Sequence, residues 1–446
     1  VRWLTLATII AAAASFGILF LSANTLTISV NEQFTAYWGL FFAFTGVLGG
    51  LMQETTRTVG SADKARRAGA LNDSLPDASL PHSTPTLTED QGPMARPIVI
   101  AAGVGLVTFA FFAISGPFWM RFIVQDNLAW AVLLMAAGLG LYAVQAAVSG
   151  LLSGAGLWKQ YAMLIMLDVL CRLVLAGVAF SLGWGLLSFL VITALGTVSW
   201  LIILAFSPAS RQALTQRADV PTRRFIPLMV TAMGASGASA LLVTGFPTLV
   251  VLASRYGAGS SGGADLENAT AGAVAVTAAG ISYAVLLTRA PLLMPLEKFQ
   301  NAIIVYFVKD DRHPLVTLAK PLGALAAFGL IGSAAAWLIG PWILQILPGG
   351  YMIPGAGLFA LTLGATTTAI LMVTGSVMLA TNHHRTYLGG WVLATVTATG
   401  ILFLPAPLLW ATSAALIIGP GLGIALHLWR LSTSRRTTST VDLSDR

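Results

Sequence analysis

Apolar residues run in blocks long enough to cross a bilayer over most of the chain, and polar residues gather in the connections between them. A helix needs about 20 consecutive apolar residues to span the hydrocarbon core. Twelve such blocks are present, near residues 3–23, 33–52, 97–117, 129–152, 161–181, 184–206, 226–253, 270–293, 318–340, 354–380, 386–404 and 407–429. The second and eleventh carry the most polar positions. The pattern predicts an all-α integral membrane protein of about twelve transmembrane helices. An N-terminal six-helix bundle would occupy 1–206, a cytoplasmic linker 207–225, a C-terminal bundle 226–430 and a cytoplasmic tail 431–446.

Composition agrees: 56% of the residues are hydrophobic and 9% charged, with a mean hydropathy of +0.82, far from a soluble domain. The distribution of positive charge adds orientation. When successive loops are assigned to alternate sides, Arg121 and Arg255 are the only basic residues outside, and Arg172 and Arg289 lie within spans. The rest of the 24 Lys and Arg fall on the other side. Both termini are therefore expected on the cytoplasmic side of the membrane. Anionic lipid at that face accounts for the net charge of +7 without a nucleic-acid partner. The single cysteine, Cys171, excludes an intrachain disulfide. Arg2 precedes an apolar stretch as in a signal peptide, but the stretch is too long for one and reads as a retained helix.

Two connections stand out. The stretch from Gln53 to Arg96 is rich in Ser, Thr, Pro, Asp and Gly without hydrophobic period, and is expected to be a mobile cytoplasmic loop. Met294 to Pro314 mixes apolar and charged residues, as in an amphipathic helix along the inner leaflet.

The halves resemble each other. "GPFWMRFI" at Gly116 and "GPWILQIL" at Gly340 each close an outward-going span. The turns after the following span read "LSGAGLWKQYA" and "MLATNHHRTYL". A shift of 226 pairs Gly154 with Ala380, Gly156 with Asn382, Lys159 with Arg385 and Tyr161 with Tyr387, and "LMQE" ending at Glu54 recurs loosely as "MPLE" ending at Glu297. The shared register favours a six-helix unit used twice in one orientation, over turns that merely recur in membrane proteins.

Few residues could carry chemistry. Asp168 and Arg172 are four apart on one helix face, with the acid first, the better order for a pair. Either alone at a helix centre would cost about 2.5–3.5 kcal/mol, so that face must meet protein or water. The pair either locks its helix to a neighbour or holds the arginine toward an anion in a cavity. Arg289 has no acid nearby on its own helix and is read as a turn or two from the cytoplasmic boundary. It could snorkel to lipid phosphate or bind an anionic substrate through its fork of donors. In the seventh span, Gly234, Ser236, Gly237 and Ser239 offer small, partly hydroxylated surfaces, and Gly245 with Pro247 marks a bend that suits either tight packing or a gate. Glu54, Arg57, Glu297 and Lys298 are placed at the cytoplasmic mouth.

Other chemistry finds little support. Gly150, Gly154 and Gly156 lack the Lys-Ser/Thr of a phosphate loop. His82, His313, His383, His384 and His427 are dispersed, and His383 and His384 fall in a turn read as exposed, without acidic neighbours, so no metal site is expected. No nucleophile elbow, zincin or paired-carboxylate motif appears, and the expectation is a protein that is not an enzyme and needs no cofactor.

Together, the two sixes, "GLLSGAGLWKQYA" after the fourth span, "QETTR" ending the second and "TRAPLLMPLEKFQ" ending the eighth resemble the polysaccharide exporters and lipid-linked oligosaccharide flippases of the multidrug/oligosaccharidyl-lipid/polysaccharide exporter superfamily. The Ala- and Gly-heavy composition resembles that of actinobacterial proteins. The resemblance implies a V-shaped pair of bundles around a cationic cavity, and alternating access that carries a prenyl-phosphate- or pyrophosphate-linked glycan to the outer leaflet. It implies membrane lipids, and glycosyltransferases or a polymerase of the same pathway, as partners, and leaves the coupling ion, sodium or proton, unspecified. It also supports Arg289 as a cavity arginine, whereas Asp168 and Arg172 match no motif. The first span lacks the basic residues of some flippases, and the loop from Gln53 is unusually long. The alternatives are a multidrug exporter of the same superfamily, which would favour an acidic cavity, and a major-facilitator transporter, whose Gly-x-x-x-Asp-Arg signature is missing after the second span.

Overall fold

In the computed structural model, residues 2–73, 92–125, 127–256, 278–310, 312–346 and 352–433 are described. Expectations for 74–91, 270–277 and 434–446, and for His82, lie outside them. The described residues form helices and short connections, with a lone bridge between Met94 and Pro221.

The first half contains α1 (Arg2–Thr25), α2 (Ile28–Asp73), α3 (Pro97–Trp119), α4 (Leu128–Gly154) and α5 (Trp158–Ser181). Its sixth span is divided into α6 (Leu186–Leu195) and α7 (Ser199–Phe206) by a 3-10 turn at Gly196–Val198. A short helix, α8 (Pro208–Ala213), begins the connection to the second half. There the seventh span is broken into α9 (Thr222–Val243) and α10 (Phe246–Tyr256), followed by α11 (Ala278–Lys309), α12 (Pro314–Ile346), α13 (Gly355–Ala380), α14 (His384–Leu402) and α15 (Leu408–Thr433). Each apolar block of the sequence corresponds to one of these helices or helix pairs. Ten spans among the described residues are long and apolar enough to cross a membrane. Helices α11 and α14 are not among these ten.

Each half packs its own core. One cluster gathers Phe34, Phe41, Met135 and Phe189 of the first half, and another gathers Phe246, Leu361, Met372 and Trp391 of the second. A smaller cluster at the cytoplasmic end joins Val59, Leu151 and Tyr161 to Phe299 and Ala302 of α11. The repeat is visible in backbone geometry. Gly156 and Asn382 both adopt left-handed φ, 76° and 63°. Each helix end closes with the same bond, from Leu157 N to Leu152 O and from His383 N to Met378 O, both at 2.8 Å. These are the six-to-one bonds of a left-handed helix stop.

Two expectations need correction. Residues 53–73 are not loop: α2 continues through them to Asp73. Their polarity is no obstacle, because Thr55, Thr56, Val59 and Gly60 are buried and α2 lies directly on the glycines of α4. A Cβ at Gly150 would strike Thr55, and one at Gly154 would strike Val59, so this pair of small residues lets two backbones approach. Nor does Met294–Pro314 form a separate surface helix: α11 continues without a break to Lys309, through Pro291 and Pro295, and lies against α2.

Candidate functional site

A cavity of about 250 Å³ lies between the halves, walled by α2, α4 and α5 on one side and by α9, α11 and Met372 of α13 on the other. Three charged residues line it: Asp168 from α5, and Glu297 and Lys298 from α11. The rest of its polar lining is uncharged and includes Thr45, Gln53, Gln145, Ser149, Ser236 and Ser239. Tyr142 and Tyr161 add aromatic faces.

Asp168 and Arg172 form the ion pair their spacing predicts, at 3.0 Å. They face different surroundings. Asp168 is on the cavity wall, whereas Arg172 is 3% exposed and lies behind it in the first half. Its guanidinium is 5.1 Å from the ring centre of Phe42 and 6.0 Å from that of Trp38, within reach of cation–π attraction. Gly196, in the turn between α6 and α7, closes the seat: any Cβ there would collide with the guanidinium. The arginine thus supports the carboxylate from behind.

Arg289 belongs to neither this pair nor the cavity lining. It is 4% exposed and sits 20 residues before Lys309, the last residue of α11, so it is deeper along its helix than the sequence suggests. Its Nη1 donates to the carbonyls of Leu242 at 2.8 Å and Val243 at 3.1 Å, the last two residues of α9, and its guanidinium is 5.1 Å from the Phe246 ring centre. The chain stops at Val243 and restarts at Phe246, with Gly245 in the gap and Pro247 in the first turn of α10. A proline is tolerated there because its missing N–H would have no helical acceptor. The break frees the carbonyls at the negative end of α9, and a buried cation satisfies them. Arg289 and the Gly245–Pro247 break, two separate expectations, are therefore one structural unit.

The four residues assigned to the cytoplasmic mouth divide. Glu297 and Lys298 line the cavity; Glu54 and Arg57 are buried at the seal beside it, 0% and 1% exposed. Glu54 accepts from Arg57 Nη2 at 2.8 Å and from His384 Nε2 at 2.7 Å, and Arg57 reaches Asp219 of the connection between the halves at 3.8 Å. His384 is thus not in the exposed turn expected from the sequence: it is 4% exposed and, with no acid near it in sequence, is joined to a carboxylate of the other half. Among the described residues, no three His, Cys, Asp or Glu are grouped as metal ligands.

Further polar contacts cross the seal. Gln53 Nε2 donates to Gln300 Oε1 at 3.1 Å, Tyr387 OH donates to Gln53 Oε1 at 2.8 Å, and Asn301 Nδ2 donates to Tyr161 OH at 3.1 Å. Farther along, Lys309 Nζ meets Asp63 at 3.3 Å. All lie where the spans reach the cytoplasm, so the halves are closed together on that side. Sequence reasoning assigned no role to Gln53, Asn301 or Asp219. It noted Tyr161 and Tyr387 only as a repeat pair, and that register was the available signal.

No family model matches this chain. The uncharacterized protein Rv1510 of Mycobacterium tuberculosis is 34% identical over 427 residues, covering 96% of this chain and 90% of the relative. The uncharacterized protein Rv3630 of the same organism is 33% identical over 424 residues, covering 95% and 90%. Among solved structures, a MOP superfamily transporter from Pyrococcus furiosus superposes with a TM-score of 0.68 at 14% identity, over 97% of this chain and 95% of its own. An outward-facing multidrug resistance MATE family transporter of the same superfamily gives 0.69 at 15% identity, over 97% and 95%. A MATE structure in a straight conformation gives 0.71 at 13% identity, over 96% and 94%. The chain, a multi-pass protein of the plasma membrane with the two-repeat fold of the MOP superfamily transporters, therefore belongs to the family of the mycobacterial proteins Rv1510 and Rv3630.

Proposed function

We propose that this protein is a transporter that carries a prenyl-phosphate- or pyrophosphate-linked glycan from the inner to the outer leaflet by alternating access, for assembly of envelope polysaccharide. The observation that carries the reading is the cavity between the halves, whose polar lining is mostly uncharged hydrogen-bonding groups around a single cation, Lys298. A sugar chain presents hydroxyls that lose their water on entering a membrane and need partners of this kind. Its phosphate needs a cation. In this reading Lys298 meets the phosphate, Asp168 and Glu297 accept from sugar hydroxyls, and Arg172 holds Asp168 in place. Membrane lipids surround the bundle, and the enzymes that make and polymerise the glycan are its partners. No step of this scheme breaks a covalent bond.

A second reading has its own observation. The wall holds two carboxylates to one lysine, because neither buried arginine lines it, and an acidic wall suits an organic cation. Multidrug export, the activity in the name of one fold neighbour, is then the alternative. Proteoliposomes separate the two: the first reading expects inward-to-outward movement of a fluorescent prenyl-pyrophosphate oligosaccharide, and the second expects efflux of a cationic dye without it.

A further inference from the structure

Tyr161 and Tyr387 occupy equivalent positions in the two repeats, near the cytoplasmic starts of α5 and α14. Both are 2% exposed. Each is hydrogen-bonded across the interface to a side-chain amide on the long second helix of the opposite half: Tyr161 to Asn301 of α11, and Tyr387 to Gln53 of α2. The two tyrosines are thus equivalent by the repeat and reach the corresponding helix of the opposite half at different levels, and both contacts lie at the cytoplasmic floor of the cavity, which Tyr161 and Gln53 line.

They are not equally supported. Gln53, besides accepting from Tyr387, donates to Gln300 and accepts from Ser236 at 3.4 Å. The next residue, Glu54, is bonded to His384, three positions before Tyr387. Separating the halves there would break several buried bonds, one of them between a carboxylate and a histidine. Tyr161 and Asn301, beside the apolar packing of Phe299 and Ala302, have no comparable polar backing: among the described residues, Asn301 Oδ1 is buried without a hydrogen-bond partner.

We propose that Tyr161–Asn301 and Tyr387–Gln53 are the two latches of the cytoplasmic gate, and that the gate opens first at Tyr161–Asn301 while the Tyr387–Gln53 side serves as the hinge. Entry from the cytoplasm or inner leaflet is then one-sided, along the junction of α5 with α11. This rests on the alternating-access reading of the fold and is independent of which cargo is carried. A neutral hydrogen bond lost in the closed state alone shifts the opening equilibrium about five-fold.

The test uses the full-length chain with its lone cysteine removed, Cys171→Ser, and a single reporter placed on the cavity wall, Ser149→Cys. Labelling by a membrane-impermeant thiol reagent is followed from the cytoplasmic face of inside-out vesicles, with no cargo present. Tyr161→Phe, which keeps the ring and so the packing, is expected to raise the labelling rate about five-fold. Asn301→Leu should do the same, and the double variant should add nothing to either single change. Tyr387→Phe should raise labelling less than two-fold, since the contacts around it persist. The proposal is overturned if neither tyrosine variant changes labelling, or if Tyr387→Phe opens the cavity as much as Tyr161→Phe while both variants keep the thermal stability of the parent. Failure here would leave a glycan-transport assay free to succeed, and the reverse holds too.

Discussion

His384 Nε2 lies 2.7 Å from Glu54 Oε2, joining residues 330 positions apart and tying together the cytoplasmic ends of the two halves. The carboxylate is fully buried and is shared with Arg57. Burial of this kind is costly unless every charge is matched.

Removing the carboxylate should therefore be worse than removing the histidine. Glu54→Ala leaves Arg57 buried with only the 3.8 Å contact to Asp219, and about 3–5 kcal/mol of stability should be lost. His384→Ala leaves the Glu54–Arg57 pair intact and should cost about 1–3 kcal/mol. Thermal unfolding of the purified variants in detergent measures both; equal losses would contradict this assignment.

Gly196 should tolerate no side chain while Arg172 is present. Gly196→Ala forces the guanidinium off its seat and should destabilise by about 1–3 kcal/mol. Pairing Gly196→Ala with Arg172→Ala, which removes the guanidinium and leaves only the flexible Asp168 carboxylate to shift, should cost less than the sum of the two single changes. A thermodynamic cycle on the four proteins checks this.

Arg289 is expected to act on stability. Arg289→Ala leaves the carbonyls of Leu242 and Val243 unmatched beside the break in the seventh span and should cost about 1.5–3 kcal/mol. Arg289→Lys, which retains a cation but not the planar fork, should recover part of that loss. A stable Arg289→Ala protein with lost transport would return this arginine to the substrate path.

Asn382 carries the left-handed conformation that Gly156 carries in the other half. Asn382→Gly should be neutral or mildly stabilising, whereas Asn382→Val should cost about 1–2 kcal/mol. Melting temperatures of the two variants, set beside the native protein, report the difference.

The membrane-spanning architecture was legible because a bilayer demands long apolar blocks and sorts basic residues to one side, and both marks are local in sequence. The Asp168–Arg172 pair was legible for the same reason, being four residues apart on one helix. What escaped notice depends on distant partners. Gln53 to Asp73 reads as loop until α4 supplies Gly150 and Gly154 to receive it. His384 looks solitary because its carboxylate lies on α2. Arg289 looks unpaired because its acceptors are backbone carbonyls, which no search for nearby acids can find. The cavity could be anticipated as a consequence of two repeats, but which polar residues line it is fixed by the tilt and rotation of helices.

The central claim is that the cavity between the halves carries a lipid-linked glycan with Lys298 at its phosphate. The most direct measurement compares the flipping of a fluorescent prenyl-pyrophosphate oligosaccharide by the native protein and by Lys298→Met in proteoliposomes. The account predicts robust native flipping and a loss of about ten-fold or more in the variant, with thermal stability unchanged. A native protein that leaves the oligosaccharide in place while exporting a cationic dye, or a Lys298→Met protein that flips normally, would contradict it.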